Sequence, residues 1–247
     1  MVTIVGMEAA ETIREAISRV MALQQICLSD PLLHKSVRAV KQFQARRFAL
    51  TYGDLLVGGP YEGAGHFFLQ ELYGDRDFSQ RDSQFLKIAG ALQKLFPKQA
   101  VSTAVRLAEI HALTEELDHQ MGIAWLGTTT PSSSNERGRY VAAWRQVGRQ
   151  HQRDAQLKGV LQLGHELDRL TRTPGLRLML KLMRRPAKSA GVSALQGFLE
   201  SGFDTFAKMH TNAGSATTFL ATIELRESSF IEAMFTGGDF AIDELPV

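Results

Sequence analysis

Apolar positions in this chain recur at intervals of three and four residues, and no stretch alternates long enough to read as a strand. From 8 to 28, Ile13, Ile17, Val20, Met21 and Leu28 fall on one helical face. Asp30-Pro31 then stops one helix and starts another, with Asp30 as N-cap and Pro31 in the first turn. A second helix is expected over 32–56, ending at Gly58-Gly59-Pro60. A short helix over 62–73 carries His66-Phe67-Phe68-Leu69, and Gly74 is placed to end it. Ser79 and Asp82 form a capping box for a helix over 80–96, which Pro97 closes. A long helix over 98–126 follows. Residues 127–138 (GTTTPSSSNERG) are the one loop-like stretch. Further helices are expected at 139–149, 153–172, 175–185, 192–210 and 215–235, with Thr173-Pro174 and Pro186 as punctuation.

The pattern predicts an all-α fold of roughly ten helices, packed as a bundle or as two stacked layers. Its parts are an N-terminal helix (1–30), a first half (31–126), a linker (127–138), a second half (139–236) and an acidic tail (237–247). They are expected to form one compact domain rather than two. Both halves run in the order helix end, proline break, short apolar helix, turn, long helix. FFLQELYG matches LMLKLMRR in this order, and SQFLKIAG matches LQGFLESG. An internal pseudo-duplication and plain helical grammar both account for this.

Composition narrows the class. The chain has 247 residues, 44% hydrophobic and 22% charged, with net charge +2, which excludes a disordered or collagen-like chain. One cysteine, Cys27, excludes an intrachain disulfide and any Cys-built zinc or iron–sulfur site. No signal-peptide pattern, lipidation motif or long uncharged apolar run is seen, so a cytoplasmic protein without a membrane span is expected. Phosphate-loop, dinucleotide-binding, serine-elbow and zincin motifs are absent.

Candidate chemistry collects in five places. On the helix over 98–126 the apolar stripe centres on Leu107, Ile110, Thr114, Leu117 and Met121. His111, Glu115 and Asp118 line one border of it, with Trp125 beyond. A His and two carboxylates in a row suit a general base or a metal ion; a partly buried, paired His suits the same pattern. Glu116 and His119 give one Glu-x-x-His spacing, with no second copy to complete a di-iron set. Asp168 falls on the apolar face formed by Leu157, Val160, Leu161, Gly164 and Thr171. It therefore needs a cation, for which Arg145, Arg149 and Arg172 are candidates. Asp118 and Asp168 would then meet in a polar seam between the halves. Around 66–82, Phe67, Phe68, Leu72 and Tyr73 are core or pocket lining. Asp75, Arg76, Asp77, Arg81 and Asp82 alternate in sign, either as local caps or as a pocket mouth where Arg76 or Arg81 clamps an anion. His66 and His210, beside Phe and Met, invite a haem-ligand reading, although Phe, Met and Leu at helical spacing are more often plain core. Residues 137–188 hold 13 Lys and Arg against Asp154, Glu166 and Asp168, which leaves the remainder acidic. Such asymmetry fits nucleic acid, an acidic partner, or two charged parts that face each other.

The strings FFLQELYGDRDFSQRD, AWRQVGR, LDRLTRTPGLRLMLKLMRRPAKSAG and LQGFLESGFDTF resemble a family of bacterial all-helical proteins, a domain of unknown function sharing an FFLxELYGxxDFSxRD motif. The resemblance spans about Leu32 to Phe235. It implies a bacterial, all-helical protein and carries over no activity, cofactor or catalytic residue.

The leading expectation is non-enzymatic binding of a small apolar or anionic ligand, or of a protein partner, in a pocket between the halves. Phe67, Phe68, Tyr73, Trp125, Trp144 and Phe203 would line it, with Arg76, Arg81 or Arg145 on the anion. No cofactor is expected on this reading, and a homodimer is compatible with it. The alternative is a metal- or haem-dependent enzyme using His111, Glu115 and Asp118, with Asp168 or His165 from the other half. A third reading is an adaptor for an acidic partner through 137–188, with nucleic acid the weaker form of it.

Overall fold

The computed structural model describes the backbone of residues 2–72, 78–128, 136–211 and 215–237, and side chains within 8–71, 78–128, 136–209 and 215–237. The helices are α1 (Val2–Ser29), α2 (Pro31–Thr51), α3 (Gly53–Leu56), α4 (Glu62–Phe67), α5 (Ser79–Leu95), α6 (Lys98–Gly127), α7 (Glu136–Val147), α8 (Gln150–Thr171), α9 (Leu176–Leu182), α10 (Arg184–Ser189), α11 (Ser193–Thr211) and α12 (Ala216–Thr236). A π-helical turn, Phe68–Leu72, extends α4. Among the described residues there is no strand, and the all-α expectation holds.

Helix α6 is the axis. Its 30 residues span about 45 Å at 1.5 Å per residue. It packs on α1 and α2 on one side and on α7 and α8 on the other. Helix α5 lies against α1 and α11, and α8 carries α11 and α12. Two helical layers thus meet where α6 faces α8. Ile13, Ile17 and Val20 bury the face of α1 predicted from spacing, against Phe85, Ala89 and Ala112. Asp30 caps α2 as its sequence requires: Oδ1 accepts from the amides of Leu32 at 3.0 Å and Leu33 at 3.1 Å.

Several expected details differ. Leu28 is exposed, and its neighbour Cys27 turns inward with Leu33 and Val37. Helix α2 ends at Thr51, short of Leu56, because buried Tyr52 leaves helical geometry and its hydroxyl donates to Glu227 at 2.8 Å. The helix over 62–73 switches to the π turn. The switch accompanies burial of two consecutive rings in different directions, Phe67 on Phe198 and Phe68 on Phe219. Asp82 does not cap α5; it is buried, held by Gln24 and His111. The helix over 175–185 divides into α9 and α10, with Pro186 accommodated in the first turn of α10. Gly74 lies outside the described residues.

Close approach of α2 to α6 depends on Gly122. A Cβ there would lie 2.3 Å from Val37 Cγ2 and 3.1 Å from the Val37 amide nitrogen. Gly122→Ala should therefore destabilise the fold by about 1–3 kcal/mol despite the better helix propensity of alanine. A urea unfolding midpoint equal to or above that of the wild type would show that the two helices separate freely.

Candidate functional site

The stripe Leu107, Ile110 and Thr114 on α6 is only half buried, because it faces a cavity rather than close-packed side chains. The cavity is about 120 Å³ and lies along the α6–α8 interface. Its apolar wall includes Leu157, Val160 and Leu163 of α8, and Phe198 of α11. Its polar wall draws Lys41, Gln44 and Arg47 from α2, Arg81 and Asp82 from α5, and His111, Glu115 and Asp118 from α6. Arg153 of α8 and Glu227 of α12 complete it. Charged groups from both halves therefore share one interior.

Most of these groups are tied to one another. Lys41 Nζ lies 2.5 Å from Glu115 Oε1. Burial alone would depress the lysine pKa, but the carboxylates of Glu115, Asp118 and Asp82 outweigh it and hold the ammonium above its ordinary value. Arg47 makes a bidentate pair with Glu227, with Nη2 donating to Oε2 at 3.0 Å, and Tyr52 closes this triad. Gln44 Nε2 donates to Asp118 Oδ1 at 3.0 Å. Burial pushes the Asp118 carboxyl up, against the opposing pull of Lys41. His111 Nε2 lies 2.9 Å from Asp82 Oδ1, and Gln24 donates to the other oxygen of that carboxylate at 3.0 Å. The Arg153 guanidinium lies 4.1 Å from the ring centre of Trp144.

Arg81 is arranged differently. Its guanidinium is stacked between the rings of Phe78 and Phe198, 4.0 and 4.3 Å from their centres. Only Nη1 donates, in long bonds to the Glu71 carbonyl at 3.3 Å and carboxylate at 3.5 Å. Among the described residues, Nε and Nη2 have no acceptor. Burial lowers the Arg81 pKa by more than Asp82, Glu71 and Glu115 raise it. The fold thus holds the guanidinium in a fixed plane, and among the described residues its ion pair is the long one to Glu71.

A second cavity of about 110 Å³ lies beside the first, walled by Phe67, Phe96, Leu167, Leu170, Phe203, Phe206 and other apolar side chains.

The residues singled out from sequence are distributed between these places. Arg81, His111, Glu115, Asp118 and Trp144 line the polar cavity. Phe67, Phe68 and Phe203 line the apolar one. Trp125 is in the core of α2, α6, α7 and α12, with Arg139 donating to its carbonyl. Arg145 donates to the Met234 carbonyl and lines neither cavity. Asp168 is buried and pairs with Arg172 at 2.9 Å, also away from both cavities. The seam that would have joined Asp118 to Asp168 therefore contains only the first. His165 and His66 line neither cavity. Tyr73, Arg76 and the side chain of His210 lie outside the described residues. The metal set His111, Glu115 and Asp118 does not assemble: each faces a different partner, and among the described residues no three His, Cys, Asp or Glu side chains are placed to hold a metal ion. In the Glu-x-x-His pair, Glu116 meets Arg149 and His119 lies 3.4 Å from Cys27 Sγ.

Arg47, Arg153 and Glu227 were not foreseen, although spacing carries a signal for them. Arg47 continues the buried series Val40, Phe43 on α2, and Glu227 sits within Leu220, Ile223, Ile231 on α12. Arg153 precedes Leu157 and Leu161 at intervals of four on α8. A charge inside an apolar stripe needs a buried partner.

Removing one partner of the triad tests its structural weight. Glu227→Ala strips Arg47 of its carboxylate and should cost about 3–5 kcal/mol of stability, seen as a lower denaturation midpoint at unchanged slope. A loss below about 1 kcal/mol would place this pair among exposed ones in energetic terms. Asp118 gives a pH test. Its folded pKa is raised, so its contribution is complete below the unfolded value of about 3.9 and is lost as pH rises through the folded value. Asp118→Asn should therefore fall less in stability than the wild type as pH rises from about 4 to neutrality. Parallel curves for the two proteins would mean that Asp118 is ionised in the fold.

No curated protein and no solved structure matches the chain. Over residues 24–240 it matches a family described as "Domain of unknown function (DUF8198)". That match takes in α2 to α12 and every side chain of the polar cavity, and the chain belongs to this family.

Proposed function

We propose that this protein binds a small organic carboxylate, without transforming it, in the polar cavity between α6 and α8. The observation that carries the reading is Arg81. Its planar fork is held by two aromatic rings, lines the cavity, and has donors at Nε and Nη2 without an acceptor among the described residues. Such a fork matches the two oxygens of a carboxylate. The other charged groups argue the same way. Glu115, Asp118, Asp82 and Glu227 already accept from Lys41, Gln44, Gln24 and Arg47, which leaves the Arg81 fork, together with the buried Trp144 Nε1 on the same lining, as donors an anion could use. A bacterial cytoplasm is the setting that goes with this reading, and the buried free thiol of Cys27 suits a reducing compartment.

A catalytic reading has one observation in its favour. His111 and Asp82 form a hydrogen-bonded pair in the same cavity as Asp118, an arrangement suited to proton transfer.

Ligand-observed NMR with a series of carboxylates from acetate to 3-phenylpropanoate tests both. Binding of at least one member is expected, weakened about tenfold to a hundredfold by Arg81→Gln, since a hydrogen bond to a charged group contributes about 1.5–3 kcal/mol. Full-strength binding to the variant, or none to the wild type, would end the proposal. Conversion of a bound carboxylate in the same samples would favour the catalytic reading instead.

A further inference from the structure

The two cavities are neighbours with a common wall. Phe85, Leu107, Val160, Leu163 and Phe198 line both. Phe198 is the informative member. Its ring lies 4.3 Å from the Arg81 guanidinium and stacks on Phe67, centre to centre 5.8 Å at 21°. Arg81 belongs to the polar cavity alone and Phe67 to the apolar cavity alone. The unfilled donors of Arg81 are therefore separated from a hydrocarbon-lined space by a single aromatic side chain, which is itself only half buried.

Among the described residues, no charged side chain lines the second cavity. The hydroxyl among its described lining residues, Thr103 Oγ1, is engaged by Gln99 O and Glu166 Oε2, both at 3.0 Å. Water entering it would find few partners among the described residues, so the space favours hydrocarbon. At about 110 Å³ it is somewhat smaller than the 150 Å³ cavity that takes up benzene, which sets its capacity at about five carbons. Gly202 keeps it open at one wall, where a Cβ would approach Phe67 Cζ to 3.1 Å.

We infer that the ligand is an amphiphilic carboxylate: its head sits on Arg81, and a hydrocarbon group of about five carbons passes Phe198 into the apolar cavity. The inference rests on the carboxylate reading and adds the substrate class, a short apolar-chain acid. A bare small anion would use Arg81 and leave the second cavity empty. An acid of this class satisfies both the donor excess and the dry space with one molecule.

The test uses straight-chain acids from acetate to octanoate with the full chain. Affinity in the wild type should rise about fourfold per methylene up to hexanoate, because each buried methylene contributes about 0.8 kcal/mol, and then level off. Ala104→Phe puts a ring into the apolar cavity from α6. It should cut hexanoate affinity at least tenfold and leave acetate unchanged, whereas Arg81→Gln weakens every member. Isotope-filtered NOEs give a readout that needs no variant: the hexanoate methyl should contact Leu167 and Leu170. A wild-type series with no chain-length dependence, or a methyl that contacts Leu157 and Ile231 instead, would overturn the inference while the carboxylate site stands. Absence of binding by every acid would overturn both.

Discussion

Ionised side chains carried into a helical bundle must take their partners with them, because a lone charge loses several kcal/mol of hydration. That constraint sets the interior of this protein. Arg47 on α2 is opposite Glu227 on α12, and the Tyr52 hydroxyl joins them where α2 breaks. Lys41 faces Glu115 across the α2–α6 contact, and Gln44 reaches Asp118 beside it. Asp82 on α5 meets Gln24 from α1 and His111 from α6. Each of these links ties different helices together, so the register of α1, α2, α5, α6 and α12 is fixed by polar contacts as well as by packing.

Pairs of this kind contribute little net stability compared with apolar side chains of the same volume. What they provide is an interior that stays polar without collapsing, since charged groups held at hydrogen-bonding distance from one another do not close over the space between the helices. The half-buried stripe on α6 follows directly: Leu107, Ile110 and Thr114 are apolar or neutral, yet face a cavity whose rim is held apart by ion pairs. Polar and apolar cavities side by side are then a consequence of where the pairing stops. Beyond Arg81 and Phe198 the lining becomes hydrocarbon, with Phe96, Leu167, Leu170 and Phe203.

The helices were legible because their periods, caps and prolines are local signals. Asp30-Pro31 defines the start of α2 from within two residues, and Pro97 closes α5 in the same way. The site was legible only in part. Placing His111, Glu115 and Asp118 on one border of α6 was a matter of angles on a single helix, and all three do line the polar cavity. Their partners come from α2 and α5, at sequence distances no helical wheel reports. Asp82 shows how a local rule can be overridden: a residue suited to capping α5 is turned inward because a histidine and a glutamine from two other helices compete for it. Asp168 finds a cation within its own helix segment, at Arg172, four residues away. The breaks at Tyr52 and at the π turn were hidden because both accompany tertiary contacts, one with Glu227 and the other with two ring stacks.

The uneven distribution of charge along the chain has a similar explanation. The basic stretch 137–188 invites a search for an external anion, yet Arg149 pairs with Glu116, Arg177 with Asp204 and Arg184 with Glu200, acids that all lie outside it. Arg139 and Arg145 cap backbone carbonyls instead. Part of the local excess of positive charge is thus taken up by contacts within the fold. Arg81, the anion contact proposed above, lies outside that stretch, next to an aspartate in sequence. A segment's net charge measures what the unfolded chain presents to a distant ion, whereas binding depends on which hydrogen-bond donors remain without acceptors after folding. Asp82 is engaged by Gln24 and His111, and the anion contact proposed at Arg81 lies outside the basic stretch to which charge counting points.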